Sequence, residues 1–269
     1  MPAHALTESQ LRQPWLSPWF EALQRLRQNE PDLLAALNRQ AQHIGLHNAN
    51  GQPLRFVPQS ALPPDCAYES FIDSTGQVPT REHLHDFFNA LIWLSFPRVK
   101  QQLNRMQARQ IAANGVNQVR GAVRDGITLF DENAAIVVFQ HDAAGEALAQ
   151  ALRQHQWQHL LQEQSAAWGQ LWQVHLFGHA LLEKLCNPYK AITAHGWIMF
   201  ADAAFFRASS ADQMAWIDAT LAQQLQQANL HTRCFAPLPV LGIPGWWPGQ
   251  DAAFYSDTAV FRAPRPRMA

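Results

Sequence analysis

Two runs rich in β-branched and aromatic residues, Ile127-Thr128-Leu129-Phe130 and Ala135-Ile136-Val137-Val138-Phe139, flank the turn-prone Asp131-Glu132-Asn133-Ala134. This spacing predicts a β-hairpin over 127–139. A hairpin alone is not stable in water, so the chain has to supply strands or helices that cover it. Leu54-Arg55-Phe56-Val57 and part of Ala194 to Phe200 are the expected strand partners. Almost everything else that is apolar recurs at helical spacing. The expected fold class is therefore α+β and predominantly helical, with several helices packed around a small antiparallel sheet that contains the 127–139 hairpin.

The remaining punctuation gives the order of parts. Residues 15–47 read as a helical hairpin broken at Asn29-Glu30-Pro31, and 48–80 as a long Pro/Gly-rich loop. Thr80 is the expected cap of a helix from Arg81 to Ser95, which Pro97 ends before a second helix from Arg98 to Ala112. Helices are expected again at 143–164 and 165–185, and from Ser210, where Ser210 and Gln213 have capping-box spacing. The helical and hairpin core thus spans 81–230, and a Pro/Trp-rich strap follows at 237–269. No internal repeat or linker interrupts the chain, which reads as one domain over 1–269.

Charge narrows the partners. Lys and Arg total 20 against 21 Asp and Glu, a formal charge of −1, so no concentrated positive field favours nucleic acid or an anionic membrane surface. The apolar stretches Phe87–Phe96 and Ala191–Phe206 fall short of the roughly 20 clean apolar residues that span a bilayer, so no membrane span is expected. Cys66, Cys186 and Cys234 are odd in number and far apart, without metal-ligand spacing, and the N-terminus lacks a secretory pattern. The expected setting is cytoplasmic with free thiols.

Three stretches carry a family pattern: His83-Leu84-His85-Asp86-Phe87-Phe88-Asn89-Ala90-Leu91, then Arg124-Asp125-Gly126-Ile127-Thr128-Leu129-Phe130-Asp131-Glu132, then Phe177-Gly178-His179-Ala180-Leu181-Leu182-Glu183-Lys184-Leu185 with Thr193-Ala194-His195 beyond it. In this order they resemble a proteobacterial family catalogued only as a domain of unknown function. The resemblance covers most of the chain and brings no activity, cofactor or substrate. The chemistry has to be read from the residues.

His175, His179 and Glu183 repeat every four residues, which on a helix is one face. Either the strip is exposed and pairs locally, or it lines a polar hollow. Gly178 suggests that something approaches the backbone beside His179. His85 and Asn89 share a face of the helix at 81–95, and Asp86 suits its N-terminal end. These residues either cap that helix or form a ligand or general base with its orienting partner. Asp125 and Asp131 lie at opposite ends of the expected first strand, roughly 20 Å apart at strand spacing, so only one of them can join a cluster. Arg98, Lys100, Arg120, Arg124, Lys184 and Lys190 are either solvated surface charge or an anion site. Trp246, within Pro244-Gly245-Trp246-Trp247-Pro248, either walls a ligand pocket or straps the core.

No P-loop, dinucleotide, serine hydrolase or zincin motif is present. The leading expectation is an enzyme whose catalytic candidates are His85, Asp86, Asp125, Asp131, His179, Glu183 and His195. In one version His85, His179 and His195 hold a divalent metal for hydrolysis, and in the other the same groups do metal-free acid–base work. Asn89, Arg98, Arg124, Lys184 and Trp246 are the candidates for substrate contact. The competing expectation is a non-enzymatic binding or interaction protein that uses the aromatic C-terminal segment. The ligand, a small molecule or a protein, is not specified by the sequence.

Overall fold

A computed structural model describes residues 6–28, 32–115 and 121–264. Asn29-Glu30-Pro31 and Arg120 lie outside them. The chain is mostly helical with two small sheets, a mixed α+β fold. A short helix α1 (Glu8–Leu11) and a 3-10 segment (Pro14–Trp19) lead into α2 (Phe20–Gln28), and α3 (Leu33–His43) follows. Asp32 caps α3 by accepting from the Leu34 and Ala35 amides.

The stretch 48–80 is not the long loop its proline and glycine content suggests. It contains β1 (Arg55–Pro58), α4 (Tyr68–Thr75) and β2 (Gln77–Thr80), and β1 and β2 pair in parallel as a separate two-stranded sheet. The 54–57 segment therefore does not join the main sheet.

Next come α5 (Leu84–Ser95) and α6 (Pro97–Asn114), with Pro97 starting the second helix at the position where its missing N–H costs nothing. The N-terminus of α6 is capped from far away in sequence, because the Arg98 and Val99 amides donate to the buried Asp218 carboxylate at 3.2 and 2.9 Å. Thr80 does not cap α5. His83 stands at that position, while the Thr80 hydroxyl donates to the Val78 carbonyl.

The expected 127–139 hairpin is absent. Residues Ala122–Asn133 form helix α7, and only Ala134–Gln140 is a strand, β3. The apolar run at 127–130 is too short for composition to separate helix from strand. What decides is that Ile127 and Phe130, three residues apart, are both fully buried, as one helical face demands. Asp131-Glu132-Asn133 then finish the helix instead of making a turn.

The main sheet has the order β4-β3-β5-β6, with β4 (Trp172–Leu176), β5 (Thr193–Ala201) and β6 (Ala236–Pro239). It is mixed and not antiparallel throughout. β3 runs parallel to β5 and antiparallel to β4, and β6 is antiparallel to β5. Ala134 to Phe139 are all at 0% exposure, so both faces of β3 are covered and its sequence is a continuous apolar run.

The two helices expected at 143–164 and 165–185 are also corrected. Helix α8 ends at Arg153 (Ala143–Arg153), a π-helical turn covers Gln158–Glu163, and β4 occupies the middle of the second stretch before α9 (His179–Lys184). Helix α10 (Ser210–Gln227) is capped by Ser209, which accepts from the Asp212 amide, so the boxed pair Ser210 and Gln213 is one residue out of register. The C-terminal segment carries β6 and α11 (Ala252–Tyr255), and Trp246, Phe254, Tyr255 and Phe261 are turned into the core. Among the described residues no helix is long and apolar enough to cross a membrane.

Candidate functional site

Phe96, Phe130 and Phe177 meet through tilted and edge-to-face contacts beneath the point where α5, α7 and α9 come together. This aromatic junction fixes the residues just past it, and the same three helices contribute to the wall of a cavity of about 490 Å³. Helix α7 contributes Arg124, Thr128, Asp131 and Glu132 to its wall, a stripe at i, i+4, i+7 and i+8. Helix α5 contributes His85, Asp86 and Asn89, α9 contributes His179, and α6 contributes Gln107 and Ile111. Helix α4 adds Tyr68 and Glu69.

A continuous polar chain runs through this site. Asn89 Nδ2 donates to the Tyr68 hydroxyl at 3.1 Å, and Lys100 Nζ donates to Asn89 Oδ1 at 2.9 Å and to Asp131 Oδ1 at 2.6 Å. Asp131 Oδ2 lies 3.7 Å from His179 Nδ1. The two rings meet nearly at right angles, His179 Nε2 to His85 Nε2 at 3.2 Å, and His85 Nδ1 is 3.0 Å from Glu183 Oε2. Lys100, Asp131 and His179 are enclosed, at 5%, 17% and 7% exposed, and the chain opens only at its far end, at 33% for His85 and 42% for Glu183.

Burial and charge set the protonation states. Burial would raise the Asp131 carboxyl, but Lys100 and then His179 outweigh it and hold it below the usual carboxylate range. Burial lowers His179 to about 4, against the pull of Asp131, so this ring is neutral at pH 7. Burial raises Glu69 to about 7, with Lys100 and the Asn104 amide opposing it. Asp86 is held low because Arg81 outweighs its burial, donating from Nε, Nη2 and the backbone amide at 3.0, 3.0 and 2.7 Å.

The hydrogen-bond geometry constrains the tautomers. Glu183 Oε2, at 3.0 Å, favours a proton on His85 Nδ1, whereas His179 Nδ1 is buried without a hydrogen-bond partner, with Asp131 Oδ2 3.7 Å away. The 3.2 Å contact of His85 Nε2 with His179 Nε2 takes one proton, carried by either ring according to the His179 tautomer.

The structure brings together His85, Asp86, Asn89, Arg124, Asp131, His179 and Glu183. It places the other sequence candidates elsewhere. Asp125 is exposed in the first turn of α7, and His195 lies on β5 against Phe235, where burial and then Lys184 lower its pKa. Arg98 is exposed, Lys184 donates to Asn133 Oδ1, and Trp246 packs between Trp15 and Trp168. His175, expected on the His179 helix, is on β4, buried with neither ring nitrogen hydrogen-bonded. Among the described residues no three His, Cys, Asp or Glu side chains are placed to share a metal ion. The metal set His85, His179 and His195 is not assembled as a cavity-lining trio, because His195 does not line the wall.

Sequence reasoning missed Tyr68, Glu69, Thr128, Gln107 and the burial of Lys100. For the last two a signal existed. Lys100, Asn104, Gln107 and Ile111 form a stripe at 3–4 spacing beside the buried Val99 and Leu103.

Gly178 is required by the crossing of α9 over the end of α7. A Cβ there would sit 2.4 Å from the Glu132 carbonyl oxygen and 2.5 Å from the Asn133 amide nitrogen, both backbone atoms that cannot turn aside. Gly178→Ala is expected to cost about 2–3 kcal/mol in urea unfolding, at the upper end for overpacking. Wild-type stability would show that the two helices are not pressed together at that point.

Comparison with curated proteins and with solved structures gives no match. A family model described as "Protein of unknown function (DUF3025)" matches residues 54–265, a span that holds every residue of the cavity wall. By that match, over far more than half of its length, the chain belongs to the DUF3025 family.

Proposed function

We propose that the cavity is the active site of an enzyme that performs metal-free acid–base chemistry on a small polar molecule, with His85 as the general acid. The observation that carries this reading is the Nε2-to-Nε2 contact of His85 and His179, with a carboxylate behind each ring. His179 is enclosed and neutral, and Asp131, itself fixed by Lys100, lies 3.7 Å from its Nδ1. In this reading the His179 proton sits on Nδ1, toward Asp131, and Nε2 accepts from His85. His85 reaches the cavity, so it is the ring that can pass its Nε2 proton to a bound leaving group or basic atom and recover one from water or product. Glu183 accepts from His85 Nδ1 and stabilises the ring while it carries the proton to be passed on, the orienting role that a carboxylate plays behind a catalytic histidine.

The competing reading, an interaction surface made by the C-terminal aromatics, gains no support, because Trp246, Phe254, Tyr255 and Phe261 are buried. The test does not require the substrate to be identified first. Purified protein and its His85→Gln variant are incubated in D2O with a mixture of small metabolites and followed by NMR. The wild type is expected to consume or deuterate at least one component, at a rate reduced about 100-fold or more in the variant, the usual range for a general acid. Equal behaviour of the two proteins would overturn the assignment.

A further inference from the structure

Among the described residues three cations stand at or beside the cavity, and two of them are already committed. Arg81 forks onto Asp86 through Nε and Nη2, and Lys100 is bound by Asp131 and Asn89. Arg124 differs. Among the described residues its enclosed Nε has no hydrogen-bond partner, and its Nη1 donates to the Gly115 carbonyl at a long 3.5 Å. Among the described residues it has no ion pair. An enclosed guanidinium nitrogen without an acceptor is costly, so a group that supplies one gains that free energy on binding.

Position on α7 gives the arrangement direction. Arg124 and Asp131 share the cavity face but are seven residues apart, roughly 10 Å along the axis at 1.5 Å per residue. Asp131 marks the histidine end, where Lys100 already answers its charge, and Glu132 beside it adds a negative one. The cation left to attract an anionic group is Arg124, at the other end. Between the two, Gln107 Nε2 donates to the Thr128 hydroxyl oxygen at 3.0 Å, which leaves the Thr128 hydroxyl proton to meet a polar atom of the ligand. A cavity of about 490 Å³ is in the range that encloses a small metabolite.

We infer that Arg124 seats a terminal oxyanion of the substrate, a carboxylate or a phosphate, at the opposite end of α7 from the His85–His179 pair. The substrate class is then an elongated small molecule with an acidic terminus and a reacting group several ångströms away, both ends being read at once. This inference rests on the acid–base reading for the identity of the reacting end, but not for the anion seat itself. A planar guanidinium fork suits either oxyanion, so the two sources have to be separated by experiment.

Calorimetric titration of the full chain with inorganic phosphate and, separately, with glutarate tests the seat. One of the two is expected to saturate a single site at millimolar concentration, phosphate pointing to a phosphorylated substrate and glutarate to a carboxylic acid. Arg124→Gln should weaken that binding at least about tenfold, equivalent to about 1.4 kcal/mol. Arg98→Gln, an exposed arginine away from the cavity, should leave it unchanged. In the wild type the Arg124 Nε–H resonance should move along the same saturation curve, a readout that needs no variant to fold. Absence of binding by both anions, equal binding by Arg124→Gln, or an unmoved Nε–H resonance would each overturn the seat. His85→Gln separates this inference from the catalytic one: it should keep the anion affinity. Loss of turnover in His85→Gln alongside unchanged anion binding in Arg124→Gln would remove the seat and leave the general acid standing.

Discussion

Lys100→Met is expected to destabilise the protein by about 3–5 kcal/mol, the usual cost of removing one partner of a buried ion pair. Lys100 has 5% and Asp131 17% of its side chain exposed, and the ammonium also donates to Asn89 Oδ1 and lies 5.3 Å from the Trp93 ring. Without Lys100 the Asp131 carboxylate keeps its desolvation penalty and loses its main compensation. Asp131→Leu should be costly for the mirror-image reason. The double variant should be less damaged than the sum of the singles by more than about 1 kcal/mol, because it leaves no orphaned charge. Urea unfolding of the four proteins at pH 7 measures this, and additive effects would mean that water reaches the pair freely. The Lys100→Met penalty should also shrink in acid, where Asp131 takes up a proton.

His175→Leu is expected to make the protein markedly less sensitive to acid. His175 lies on β4 against Phe205, with no hydrogen bond at either ring nitrogen, and burial lowers its pKa from 6.5 to about 4. Below pH 6.5 the unfolded chain takes up a proton that the folded chain refuses. Stability is therefore full above pH 6.5 and falls as the pH drops toward 4, by about 1.4 kcal/mol per unit for one such group. His179 acts in the same direction over the same interval. Glu69 acts in the opposite direction. Its pKa is raised from 4.5 to about 7, so the folded chain holds a proton that the unfolded chain has released, and stability is lost as the pH climbs through that range. Between pH 5 and 6.5 the three groups partly cancel. His175→Leu should lower the slope of stability against pH by about 1.4 kcal/mol per unit, and Glu69→Gln should raise it by a similar amount. Denaturation curves across this interval provide the check, and parallel slopes for wild type and His175→Leu would show that the His175 ring finds a partner when charged. At pH 7 the leucine should be neutral or stabilising, since it removes two unpaired polar atoms from an apolar site.

The parts of this protein that are legible in its sequence are those governed by local rules. Pro97 separates two helices, Asp86 sits in the first turn of α5, and the glycine before His179 marks a close backbone approach. The α7 segment misleads because Ile127, Thr128 and Phe130 are good strand residues, and the fate of the segment is decided by contacts of Phe130 with Phe177, Trp197 and Phe235, all far along the chain. The same limit applies at the site. His85 and Glu183 are 98 residues apart, and no local pattern on either helix announces the other. Lys100 illustrates a different difficulty: a lone lysine on a polar helix reads as surface charge, and only its place on the stripe with Asn104 and Gln107 argues otherwise.

Both neighbours of β3 are encoded after it. A chain emerging from the ribosome therefore carries the uncharged run Ala134–Phe139 without its strand partners until β4 and then β5 have been synthesised. Such a segment, rich in β-branched residues and free of proline, is prone to pair with copies of itself while it waits. Recombinant yield should accordingly depend on expression temperature and on chaperones that shield nascent chains, even though the finished fold exposes none of that run.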